Sequence, residues 1–184
     1  MDTGRLYRAT GVAVLKAGVA LDDATAVAEI ARTLDLNDFD EEELRAAGAG
    51  QAASRVAVIP EVRDALFELQ RAFATQGGGA LLDGRDIGTV IAPDADAKLW
   101  IDASVEVRAK RRMAEFIAAG RPITLNEMIA QLKERDTRDA ARTDAPSQMA
   151  QDAVLIDTSD LTIDAAVERA VAAVEAAIAK GKTV

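Results

Sequence analysis

The stretch LLDGRDIGTV, Leu81 to Val90, runs apolar, breaks at a glycine ringed by charge, and turns apolar again. Asp83, Arg85 and Asp86 crowd around Gly84, so a strand ending there would release two carboxylates and a guanidinium at one edge. Open α/β sheets bind ligands at the C-terminal edges of their strands. Lys98 to Ile101 and Ala153 to Ile156 join Ala80 to Leu82 as short apolar strand candidates, and amphipathic stretches separate them. That alternation predicts an α/β fold in three layers, a parallel sheet covered by helices on both faces.

The residues before Gln76 give no strand signal. Tyr7 to Ala17 reads as a helix stopping at Gly18, and Asp2-Thr3-Gly4 can cap it. Asp22 to Leu34 reads as a second, capped by Asp22 or Asp23. Ala52 to Ala74 is amphipathic but interrupted by Pro60, which suits the first turn of a new helix, where its missing N–H is no loss. Either these helices form a lobe of their own, or a segment belonging before Met1 is missing. Further on, Ser104 can cap a helix from Val105 to about Ala118, and Gly120-Arg121-Pro122 breaks it. Thr124-x-x-Glu127 is a capping box opening a helix to about Arg142, and a last helix spans about Thr162 to Ala179.

Cysteine and histidine are both absent. That excludes thiol and Ser–His nucleophiles, disulfides and zinc sites of the usual ligand types. Any metal would be a hard cation such as magnesium, and phosphoryl transfer, which needs positioning more than proton shuttling, is the leading chemistry left. The net charge of −9 argues against nucleic-acid or anionic-membrane partners. The charge is uneven: residues 106–142 carry 9 basic against 6 acidic groups, whereas residues 1–105 carry 10 against 18. One basic island in an acidic chain points to a localised anion. No run suits a membrane span or a signal peptide, which predicts a cytoplasmic protein.

Within that island, KERDTRDAAR would place Arg135, Arg138, Asp139 and Arg142 on one helical face. The bland alternative is a solvated face laced by ion pairs, but three guanidinium forks on one face suit phosphate oxygens. VRAKRR puts Arg108, Arg111 and Arg112 on one face of the preceding helix. Beside Arg121 they read either as solvated surface or as one side of a mobile basic hairpin closing over polyphosphate. MDTGRLYRATG and the segment from Gln51 through Ser54 to Arg63 are unremarkable when read alone.

Together and in this order, DTGRLYRATG, QAASRVAVIPEVRDAL, LLDGRDIGTVIAPDADAKLWIDAS, RAKRR and KERDTRDAAR resemble bacterial cytidylate kinases, P-loop nucleoside monophosphate kinases, over nearly the whole chain. The resemblance implies one domain over residues 1–184. About 1–75 would form a reduced monophosphate-binding lobe and early helices, and about 80–184 a core with a lid near 108–142. It implies that Asp2, Thr3, Tyr7, Arg8, Ser54 and Arg63 hold the nucleoside monophosphate, Arg8 and Arg63 near its phosphate. Gly84, Arg85 and Asp86 would meet the cytosine, the carboxylate accepting from its exocyclic amine. Arg135 and Arg142 would contact phosphates and Asp139 the sugar. Arg108, Arg111, Arg112 and Arg121 would belong to the lid, and Asp83 to the magnesium and water network. Asp83, Arg108, Arg111, Arg112 and Arg135 are thus the catalytic candidates, with CMP or dCMP and Mg²⁺–ATP as substrates and a monomer as the working unit.

Two departures from the family pattern shape the expectation. Only Leu36 to Gly50 is available for the insert that normally precedes QAAS, so that lobe is short. The family's GxxxxGK[ST] loop, with its strand and helix, precedes the DTG motif, and this sequence starts at that motif. AAIAKGKT, Ala176 to Thr183, fits a relaxed form of the loop but follows an Ala-rich helix, and is set aside. The expectation is that these 184 residues alone bind ATP poorly and show little kinase activity. The competing readings are a degenerate cytidylate-binding fragment and a monophosphate kinase that takes UMP.

Overall fold

Caps and one proline set the helix boundaries in the N-terminal half. In the computed structural model, which describes residues 1–46 and 48–181, α1 spans Thr3–Lys16 with Asp2 as its cap, the Asp2 carboxylate accepting from Arg5 N–H. Gly18, just beyond it, takes φ 66°. α2, Ala24–Arg32, is capped by Asp23. A 3₁₀ turn over Leu36–Asp38 leads to the short α3, Glu41–Arg45. The amphipathic run around Pro60 divides into α4, Ala49–Val56, and α5, Pro60–Ala74, with Pro60 in the first turn of α5.

These helices have their own core, so the strand-free start does not depend on a sheet for burial. α1 packs on α4 and α2 on α5. Leu6, Val14, Val27, Ala28, Val56, Val62 and Leu66 are buried together between them. Gly11 is what lets α1 and α4 come so close: a Cβ there would lie 2.8 Å from the Ala52 Cβ and 2.9 Å from its backbone. This first compact unit comprises Met1–Ala92 with Arg142–Ser147.

The second unit comprises Pro93–Ala141 and the chain from Gln148 on. Two parallel strands, β1 (Leu99–Asp102) and β2 (Val154–Asp157), pair Leu99 with Val154 through Asp102 with Asp157. α6, Val105–Ala118, starts at the Ser104 cap. α7, Leu125–Ala140, starts at a complete Thr124–Glu127 capping box, and the two helices pack together. α8, Ile163–Gly181, lies against both strands. Of the loop-like AAIAKGKT, Lys182 and Thr183 lie outside the described residues. The architecture is mixed α/β with a small parallel sheet.

Two expectations are corrected. Ala80 to Leu82 is not a strand, and among the described residues the sheet has two strands rather than three. The backbone beside it is Met1 to Thr3, and Asp83 N–H donates to Met1 O at 2.9 Å while Thr3 N–H donates to Asp83 O at 2.9 Å. The partner then turns into α1, whose own hydrogen bonds take its next groups, so pairing stops at a single Asp2–Asp83 bridge. The basic helix also ends at Ala140, short of Arg142. Its last turn closes with Ala141 N–H donating to Thr137 O at 3.0 Å, and Ala145 farther on adopts φ 48°. Arg142 therefore leaves the face shared by Arg135, Arg138 and Asp139.

Candidate functional site

In the first unit, α1, α5 and the segment after Gly84 bring three expected site residues into one buried cluster. Arg63 of α5 and Asp86 are 6% and 5% exposed and form a charge-assisted hydrogen bond between the guanidinium Nη2 and carboxylate Oδ2. Arg63 Nη1 donates to the Tyr7 hydroxyl at 3.5 Å, and Arg63 Nε lies 3.4 Å from the Asp144 carboxylate. Burial alone would lower the Arg63 pKa, but Tyr7, Asp86 and Asp144 outweigh it and hold it above the ordinary value. Burial pushes the Tyr7 phenol up, aided by Asp86 and opposed by Arg63, a hydrogen bond with Gln70, and the Arg142 charge. Arginine and phenol therefore both keep their protons at neutral pH.

Around this cluster the DTG and DGRD segments lock together. Thr3 Oγ1 donates to Asp83 O at 2.7 Å, and a Cβ on Gly84 would lie 2.3 Å from that same hydroxyl oxygen. Only glycine fits there. Asp83 and Arg85 are exposed, while the Asp86 carbonyl accepts from Val90 N–H at 2.8 Å and opens a single π turn, Ile87–Ile91. Arg8 donates to Asp2, its helix cap, at 2.6 Å. Ser54 is buried on α4.

In the second unit the arginines of α6 are tied into the framework. Arg108 forks the Asp136 carboxylate of α7 at 3.1 and 2.7 Å and donates through Nε to Ala103 O at 2.9 Å. The hydrogen bond to Asp136 holds its pKa above the ordinary arginine value. Arg111 donates to Thr158 at the end of β2, to the hydroxyl at 3.1 Å and the carbonyl at 2.6 Å. Arg112 pairs with Glu115 at 2.7 Å, and it shares the Phe116 ring with Arg121, at 5.3 and 4.5 Å from the centroid. On α7, Arg135 Nε sits 3.7 Å from the buried Asp139 and Arg138 pairs with Glu134 at 2.6 Å.

Thus Asp2, Thr3, Tyr7, Arg8, Ser54, Arg63, Asp83, Gly84, Arg85, Asp86 and Arg142 belong to the first unit. Arg108, Arg111, Arg112, Arg121, Arg135 and Asp139 belong to the second. Sequence reasoning missed Gln70, Asp136 and Asp144. Phe116 is missed as well, although its place one turn after Arg112 is a usable signal. Among the described residues no three acidic side chains converge as a metal site.

The first unit thus holds an arginine–carboxylate–phenol cluster, and the second two arginine-bearing helices, on a mixed α/β fold. The family model for cytidylate kinase matches residues 1–176. A cytidylate kinase of Caulobacter sp. (strain K31) is 51% identical over 180 residues, 98% of this chain and 83% of the relative. One of Cereibacter sphaeroides (strain KD131) is 52% identical over 182 residues, 99% of this chain and 85% of the relative. One of Xanthobacter autotrophicus (strain Py2) is 53% identical over 176 residues, 96% and 84% respectively. The chain belongs to the cytidylate kinase family.

Proposed function

We propose that this chain is a kinase of cytidylate and deoxycytidylate, transferring the γ-phosphoryl group of ATP to the acceptor's phosphate oxygen. The observation that carries the acceptor side is the buried Arg63–Asp86 pair with the partly buried Tyr7 hydroxyl beside it. A guanidinium fork matches phosphate oxygens, and a carboxylate takes the exocyclic amine of cytosine but has nothing to accept from the carbonyl of uracil. Asp86 and Arg85 read the base, with Gly84 giving the turn its close approach. Thr3, Tyr7, Arg8, Ser54 and Arg63 hold the rest of the monophosphate, Arg135 and Arg142 contact phosphates, and Asp139 meets the sugar.

In the transfer an acceptor oxygen–phosphorus bond forms as the β–γ bridging bond of ATP breaks, and the charge stays on phosphate oxygens. Arginines act by position and charge, with no protein base required. Arg108, Arg111, Arg112 and Arg121 are the lid-side cations of this reading. Magnesium belongs to the co-substrate as its ATP complex. Asp83 is the residue this reading gives to the magnesium and water network. The same reading makes the protein a cytoplasmic monomer with no nucleic-acid or membrane partner. The charge of −9 speaks against a nucleic-acid partner.

Steady-state phosphorylation of CMP, dCMP and UMP with Mg²⁺–ATP tests the proposal. CMP and dCMP should exceed UMP in kcat/KM by on the order of 10- to 100-fold, the discrimination one good polar base contact supplies. Equal use of UMP sinks the base-reading role of Asp86. Failure to bind cytidylate in preference to uridylate sinks the acceptor reading.

A further inference from the structure

The carboxylate of Asp2 serves two partners with its two oxygens. Oδ1 accepts from Arg5 N–H at 3.2 Å, which caps α1, and Oδ2 accepts from Arg8 Nη2 at 2.6 Å, one turn further along. The backbone that carries it is pinned. Asp83 N–H donates to Met1 O and Thr3 N–H donates to Asp83 O, both at 2.9 Å, so the residues on either side of Asp2 are held to the segment before Gly84. Gly4 leaves the room for this arrangement: a Cβ there would lie 3.0 Å from Asp2 Oδ1 and 3.1 Å from Arg8 Nη1. Among the described residues only Nη2 of Arg8 has a partner, which leaves Nε and Nη1 to meet an anion.

We infer that Asp2 is a positioning residue for the acceptor: it does not touch the nucleotide but holds the Arg8 guanidinium ready for the nucleotide's phosphate. The inference rests on the reading of Arg8 as a ligand of that phosphate. A long arginine side chain loses much rotamer freedom when it is fixed, and a partner that fixes it beforehand removes that cost from binding. The Asp2 charge itself opposes a phosphate. Its side chain is 49% exposed and that of Arg8 32%, however, so water and salt screen the repulsion. Orientation therefore outweighs repulsion, and the net effect is modest because the pair is this exposed.

Asp2→Asn separates the cap from the pairing. The amide oxygen can still accept from Arg5 N–H, but the amide nitrogen replaces the oxygen that meets Arg8. Calorimetric titration of the wild type, Asp2→Asn and Asp2→Ala with cytidylate and with cytidine, alongside urea midpoints, tests the inference. Asp2→Asn should keep the wild-type midpoint and bind cytidylate roughly 2- to 5-fold more weakly, the range an exposed ion pair supports, with cytidine unchanged. Asp2→Ala should show the same loss of cytidylate affinity together with a lower midpoint. Wild-type cytidylate affinity in Asp2→Asn overturns the inference, since Asp2 would then be a cap alone. Tighter binding overturns it too, making Asp2 a competitor of the phosphate. So does an equal loss with cytidine, which would put the effect away from the phosphate. Arg8→Gln tests the premise. If that variant keeps the full preference for cytidylate over cytidine, the phosphate-ligand reading of Arg8 falls and the inference with it.

Discussion

Arg63 and Asp86 stand 23 residues apart in sequence and are buried against each other. Each is an ordinary charged residue in the sequence, and DGRD marks only Asp86 as special. Their pairing follows from α5 packing beside the segment after Gly84, and no local pattern encodes it. Removing one partner of a buried pair leaves an uncompensated charge in a medium that solvates it badly. Arg63→Met should therefore destabilise the fold by about 3–5 kcal/mol in urea titrations, and Arg63→Lys by clearly less. A loss under about 1 kcal/mol for Arg63→Met would show that water reaches Asp86 well enough to make the pair an ordinary surface bridge. The half-exposed Arg108–Asp136 fork lies nearer that weak limit despite its bidentate geometry.

At the scale of the elements, caps were the most legible feature. Asp2, Asp23, Ser104 and Thr124 each start the helix that their residue type announces, because capping is settled within three or four residues of chain. Helix–helix approach was not legible. Gly11 and Gly50 are both helical glycines, yet a Cβ on Gly11 would meet Ala52 at 2.8 Å while one on Gly50 meets nothing within 4 Å. Opposite signs follow. Gly50→Ala should stabilise by about 0.5 kcal/mol through the unfolded chain and the helix preference of alanine. Gly11→Ala should destabilise by about 1–3 kcal/mol, because α1 must be pushed off α4. Urea midpoints of the two variants decide the point, and a stabilising Gly11→Ala would mean that the α1–α4 contact is looser than described. The lost strand at Ala80 to Leu82 is the same lesson in a sheet. Its apolar residues suit a strand, but a strand exists only if a partner's backbone stays extended alongside it.

At the scale of the whole chain, stability should depend on pH through exposed carboxylates of the second unit. Hydrogen bonds from Thr124 to Glu127, from Lys98 to Asp152 and from Ser159 to Asp157 hold these three groups below their ordinary values. The native state then binds fewer protons than the unfolded one in acid. Their contribution is complete above the ordinary values, 3.8 for the two aspartates and 4.5 for Glu127, and is lost as pH falls through the lowered native values. Urea midpoints followed from neutral pH down to about pH 3 should fall in that acid range, and Asp152→Asn should shallow the fall. An acid limb of unchanged steepness in Asp152→Asn would remove the Lys98 pair from the account.

The sequence by itself determined the mixed α/β class, the helix starts at Asp23, Pro60, Ser104 and Thr124, the two strands that pair and the family. These rest on short-range periodicity, on capping, and on motifs whose residues lie close together in the chain. Tertiary structure alone decided that Ala80 to Leu82 stops at one bridge and that Arg142 leaves the basic helix. It also decided that Arg63 is surrounded by Tyr7, Asp86 and Asp144. Each of those outcomes depends on which distant backbone or charge arrives alongside, and desolvation then makes the arriving partner matter far more than it would in water.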